Sequence, residues 1–123
     1  MRIISGSFKG RRLKAPKQLP VRPTTDRAKE ALFNILNNHF HWDEIKTLDL
    51  FSGTGNISFE LASRGVQELT AVDQNKNCVY FIDQTAQSFD MPSLCCSQVL
   101  IRDSVVVFHS LAHQVRSTDS ITF

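Results

Sequence analysis

Cysteine is scarce in this chain. Cys78, Cys95 and Cys96 are odd in number, two are adjacent, and no pair has C-x-x-C spacing. Such a set builds neither a disulfide framework nor a thiolate zinc site and reads as free thiols in a reducing cytoplasm. No apolar run approaches the roughly 18 residues of a membrane span. The start is charged from Arg2 and has no apolar h-region, so no secretory leader and no membrane association are expected. His39 and His41 stand two apart, a spacing that shares no helix face, and neither has a visible acid partner; no metal site is expected. Of four prolines, three fall between Ala15 and Pro23, which marks an extended linker.

With 123 residues and 41 % apolar content, the chain suits a single globular core. Its net charge of +2 is unevenly spread. Residues 1–30 carry nine Lys or Arg against Asp26 and Glu30, a balance of +7, while the remainder carries five basic and ten acidic residues, a balance of −5. A basic start of this kind suits contact with a polyanion; a solvated surface without a partner is the alternative.

Glycine is also sparse, and two of the five residues sit in one stretch, Leu48-Asp49-Leu50-Phe51-Ser52-Gly53-Thr54-Gly55. A buried strand, Thr47–Phe51, runs into a turn, and a helix opens near Asn56 or Ile57. In an open α/β sheet this junction faces the ligand crevice. Gly53 and Gly55 let backbone approach a ligand, and the first amides of the new helix point into the same space. The third glycine of a dinucleotide fingerprint is absent, so a purely structural turn stays open. Asp73 strengthens the ligand reading. It ends the next apolar run, 18 residues after Gly55, where a carboxylate accepts the hydroxyls of a ribose. These features suggest a nucleoside cofactor without choosing between NAD and S-adenosylmethionine.

Asp49–Gly55 resembles motif I of S-adenosylmethionine-dependent methyltransferases. Met1–Gly6, Lys9–Leu13, Arg22-Pro23-Thr24-Thr25-Asp26-Arg27 and Glu30–Asn34 resemble, in order and spacing, the bacterial 16S rRNA guanine-N2 methyltransferase family of the RsmD type. The match runs from Met1 to about Pro92. The resemblance implies a Rossmann-like α/β fold with a mainly parallel sheet, a basic N-terminal β-hairpin and linker over 1–23, and a partial methyltransferase domain over 24–123. It implies S-adenosyl-L-methionine as cofactor, held by Asp49, Phe51, Ser52, Gly53, Thr54 and Gly55, with Asp73 on the ribose and Asp103 on the adenine. It also implies 16S rRNA or the small ribosomal subunit as partner, with Arg2, Lys9, Arg11, Arg12, Arg22 and Arg27 as candidate RNA contacts. Arg22 to Arg27 would also lie near the cofactor edge. A monomer is expected. The rivals are a DNA or other-RNA methyltransferase on the same core, an NAD-linked oxidoreductase, and a non-catalytic RNA-binding module.

Along the chain, Thr24 or Thr25 should cap a helix with Asp26 in its first turn. Ala28, Ala31, Leu32, Ile35 and Leu36 form its apolar stripe. A second helix should run from Asn56 to Arg64, stop at Gly65, face the sheet through Ile57, Leu61 and Ala62, and leave Glu60 solvated. Asn75 should cap a third helix with Cys78, Phe81, Ile82, Thr85, Ala86 and Phe89 on one face. Gln98–Ile101 reads as strand three, followed by Asp103, which alternatively caps a helix over Val105–His113. Ser120–Phe123 reads as strand four. Phe8 is either a packed turn aromatic or a stacking platform for a base.

The family's Asp/Asn-Pro-Pro-Tyr/Phe motif is missing from the sequence. By resemblance it would follow strand four, with three further strands beyond. The resemblance therefore implies a partial chain that lacks the C-terminal half of the sheet and is catalytically incompetent by itself. The composition from Cys95 to Phe123 also departs from the family's usual one.

Overall fold

The computed structural model describes residues 1–98, 100–102, 105–107 and 120–122. Three helices, α1 (Asp26–Leu36), α2 (Asn56–Arg64) and α3 (Lys76–Ser88), alternate with the strands β1 (Lys46–Asp49), β2 (Glu68–Asp73) and β3 (Leu94–Gln98). Three short strands follow: β4 (Leu100–Arg102), β5 (Val105–Val107) and β6 (Ser120–Thr122). The main sheet has the order β3-β2-β1-β6 with every described pair parallel. This is a Rossmann-like order. The chain leaves β1 for β2 on one side and places β6 on the other, so the sheet's switch point lies at the carboxyl end of β1. Ser120–Thr122 thus takes the place expected of strand four.

Local chemistry explains the helices. The Thr25 hydroxyl accepts from the Ala28 amide at 3.2 Å, with Asp26 in the first turn. Gly65, at φ 112°, closes α2 and brings the Val66 amide onto the Leu61 carbonyl at 3.2 Å. The Asn75 side chain accepts from the Asn77 and Cys78 amides to open α3, whose inner face holds Cys78, Ile82 and Ala86.

Two expectations about helix faces are corrected. On α1 the buried residues are Lys29 and Phe33, while Ala28, Ala31 and Ile35 are exposed, Ile35 at 61 %. Phe33 packs on Trp42 with ring centroids 5.6 Å apart, and the Arg64 guanidinium lies 4.5 Å from its ring centre. Glu60 is fully buried rather than solvated. Its carboxylate pairs with the Lys29 ammonium at 3.2 Å and the Arg64 guanidinium at 2.9 Å, and accepts the Ile4 and Ser5 amides at 2.9 and 3.1 Å. Burial lowers the Lys29 pKa from its ordinary value, and the Glu60 charge works against that shift.

A third correction concerns strand three. It spans Leu94–Gln98, with Leu69 opposite Leu94 and Asp73 opposite Gln98. Leu94 is buried, and a slip of one residue would turn it outward, so its burial sets the register. Leu100–Arg102 instead pairs antiparallel with Val105–Val107, which is strand where the alternative reading had a helix.

The N-terminal segment folds back as a hairpin reduced to one antiparallel bridge, Arg2 with Arg12. Ile3 and Leu13 are buried in the same core as Phe59 and Leu69. Ser63 at the end of α2 fastens the turn. Its hydroxyl donates to the Ser5 carbonyl at 2.6 Å, and its carbonyl accepts the Ser7 amide at 2.8 Å.

Candidate cofactor cleft

At the carboxyl ends of β1 and β2 the surface opens into a cleft of about 390 Å³, within the usual size range of small-molecule sites. The structure gathers six of the eight expected cofactor residues there: Asp49, Phe51, Ser52, Gly53, Thr54 and Asp73. Gly55 lies behind them. With φ at 79° it forms the α2 N-cap, and an added Cβ would sit 2.8 Å from Ile82 Cγ1 and 2.9 Å from Phe59 Cε2. Its role is to let the turn pack on α3. Asp103 lies outside the described residues, and the strand that was to carry it to the cleft ends at Gln98.

The glycine turn is held from the second strand. Ser52 bonds the Val72 carbonyl twice, through its amide at 3.1 Å and its hydroxyl at 2.9 Å. One Asp73 oxygen accepts the Gly53 amide at 2.8 Å and the other accepts the Asn75 amide at 2.9 Å. A carboxylate has about four acceptor positions, so both oxygens keep a lone pair for a ligand in the cleft. Gly53, at φ 54°, keeps the turn open: an added Cβ would lie 3.6 Å from Val21 on the facing wall. Phe51 stands 71 % exposed at the mouth.

Asp49 forms the floor. It is buried, accepts the Ser58 hydroxyl at 2.7 Å, and has its carboxyl pKa raised by burial, with Asp73 adding to the shift and Ser58 opposing it. The sign gives a test. Between the ordinary value and the raised one the native state binds more protons than the unfolded chain, so Asp49's contribution to stability is lost as pH rises through that window. Asp49→Asn keeps an acceptor for Ser58 and removes the buried charge. It is expected to melt a few degrees above the parent at pH 7, with the gap closing in mildly acid buffer. A variant melting below the parent at pH 7 would contradict this.

Pro23 and Thr24 on the facing wall fall within the Arg22–Arg27 run expected near the cofactor edge, whereas Val21 on that wall, and Asn56, Ile57 and Gln74, were not singled out from sequence. The one signal pointing to the wall was the resemblance over Arg22–Arg27. Among the candidate RNA contacts, Arg22 lines the cleft. Arg2 pairs with Asp26 at 3.5 Å. The Arg11 guanidinium lies 5.2 and 4.8 Å from the ring centres of Phe8 and Phe89, which stack on each other, so Phe8 is a packed aromatic. Lys9, Arg12 and Arg27 are exposed.

With this geometry in place, known proteins sharpen the picture. The sequence family described as Conserved hypothetical protein 95 matches residues 1–123. The chain belongs to this family. Its curated relatives carry the expected RsmD-type resemblance. Ribosomal RNA small subunit methyltransferase D of Haemophilus influenzae is 36 % identical over 93 residues, covering 76 % of this chain and 47 % of the relative. YlbH of Bacillus subtilis is 36 % identical over 112 residues, covering 91 % of this chain and 59 % of the relative. The chain thus spans about half the length of the curated relatives it matches. Among solved structures, yhhF of Escherichia coli superposes with a TM-score of 0.67 at 27 % identity, over 78 % of this chain and 50 % of that one.

Proposed function

We propose that this chain carries the cofactor half of an enzyme that transfers a methyl group from S-adenosylmethionine to the exocyclic N2 of a guanine in 16S rRNA. The observation that carries the reading is the Asp73 carboxylate. It braces the glycine turn through the Gly53 amide at 2.8 Å, and it lines the cleft with lone pairs to spare. That arrangement suits a nucleoside ribose, and the relatives' names point to methyl transfer on small-subunit rRNA.

The cofactor supplies an electrophilic methyl on a sulfonium centre. Asp73 would accept the ribose hydroxyls, the Gly53–Gly55 turn would admit the ligand backbone-close, and Asp49 would place negative charge on the floor near the cationic end. A guanine amine is a weak nucleophile because its lone pair is delocalised into the ring, so an acceptor must orient it in line with the methyl. No residue of this chain is assigned that step, since no Asn-Pro-Pro or Asp-Pro-Pro occurs in it. The chain is therefore expected to bind cofactor without turnover.

The test is a calorimetric titration of the folded chain with S-adenosylmethionine, with NAD alongside. Saturable binding of the first alone supports the reading; binding of NAD alone would replace it with an oxidoreductase. The basic N-terminal segment is proposed to grip rRNA through phosphates, with Lys9, Arg12 and Arg27 exposed for that purpose. If six such contacts form, affinity should fall about a thousandfold between roughly 50 and 200 mM salt. Salt-independent affinity would remove the RNA role from this segment.

A further inference from the structure

The cleft has two walls of different origin. One is the glycine turn and the ends of β1 and β2. The other is Val21–Thr24, which precedes α1 and comes from the proline-rich segment. Pro20 and Pro23 have no amide to donate. Among the described residues, a single hydrogen bond ties positions 20–24 to the rest of the chain: the Asn56 side-chain amide donates to the Thr24 carbonyl at 2.7 Å. Asn56 is the first residue of α2 and 3 % exposed. Its Oδ1 accepts the buried Lys29 ammonium at 2.8 Å. Lysine only donates and a carbonyl only accepts, so the two partners set the orientation of the amide.

We propose that Asn56 is a positioning residue that latches the Val21–Thr24 wall over the cofactor cleft, an inference resting on the cofactor reading above. Lys29 holds the Asn56 oxygen, Glu60 holds Lys29, and the Asn56 nitrogen is left aimed at Thr24. The Val21 side chain is thereby kept facing Gly53, 3.6 Å from where a Cβ on that glycine would sit. Releasing the latch leaves the glycine turn and Asp73 intact and frees one wall. The bound ligand would then have to order that wall at its own expense.

Asn56→Asp retains an acceptor for Lys29 and loses the donor to Thr24; Asn56→Ser is too short to reach Thr24 and adds no charge. Two readouts are made on the full chain. ¹⁵N relaxation without ligand should show the order parameters of Val21, Arg22 and Thr24 falling from a rigid value of about 0.85 to below about 0.6 in both variants, while α2 keeps its own. Titration with S-adenosylmethionine should show Kd at least tenfold weaker than in the parent. Unchanged order parameters, or a Kd within threefold of the parent in a variant with a native circular dichroism spectrum, would overturn the latch. So would the collapse of both variants, since Asn56 would then support the fold rather than the wall. If the folded parent binds no S-adenosylmethionine while the variants' wall still loosens, the latch stands and the cofactor reading fails.

Discussion

Glu60→Ala is expected to cost about 4 kcal/mol or more of folding stability, a large part of the roughly 5–15 kcal/mol that holds a domain of this size. The side chain is fully buried and serves four groups at once: the Lys29 ammonium, the Arg64 guanidinium, and the Ile4 and Ser5 amides. Removing it leaves Lys29 facing the Asn56 oxygen and the Arg2 carbonyl without a counter-charge. It also leaves two backbone donors without acceptors, each costing about 1–3 kcal/mol where water cannot reach. In urea the unfolding midpoint should drop by more than about 1 M at the slopes usual for small proteins. Glu60→Gln keeps an acceptor for the amides and should fall between parent and alanine variant. A loss below about 1 kcal/mol for Glu60→Ala would mean that water replaces the carboxylate, and that the N-terminal hairpin is held by Ile3 and Leu13 alone.

Asp73→Ala should have the largest effect on binding. It removes the acceptor of the Gly53 amide and the acceptor of the Asn75 amide, and with them the two oxygens proposed to take the ribose hydroxyls. Hydrogen bonds to a charged acceptor contribute about 1.5–3 kcal/mol each, so S-adenosylmethionine affinity should fall at least about a hundredfold. Circular dichroism should stay native, because Ser52 still anchors the turn to Val72 through two bonds. A Kd within threefold of the parent would place the nucleoside elsewhere in the cleft and leave Asp73 as a brace of the turn only.

The local readings that held rest on short-range chemistry. A threonine before an acid caps α1, a glycine at positive φ ends α2, and an asparagine two residues past β2 caps α3. Each depends on groups within a few positions of one another, and such groups are visible in a one-dimensional string. The glycine turn with Asp73 was legible for a related reason: a β-α-β unit brings the end of one strand beside the end of the next by its own connectivity.

The misread positions share another cause. Ala28, Ala31 and Ile35 make a good apolar stripe, yet α1 turns Lys29 and Phe33 inward. Burying the stripe would have meant exposing Lys29 away from Glu60, and that pairing spans 31 positions. Glu60 looks like a solvated helix glutamate until Lys29, Arg64 and two amides of the N-terminal segment converge on it. Strand three begins at Leu94, which is buried in the core and pairs opposite Leu69, while the more β-like run that follows pairs with its own neighbour.

Sequence alone determined the family, the alternation of strands and helices, and the glycine turn at the end of β1, because those are written in motifs and local caps. Only the tertiary structure decided that Val21 joins Arg22–Thr24 on the wall facing the glycine turn, that the Asn56 side chain bonds the Thr24 carbonyl, and that Lys29 and Glu60 lie buried beneath. Such facts depend on which distant polar groups find each other once water is excluded, and a buried charge keeps its place only when all of its partners arrive together.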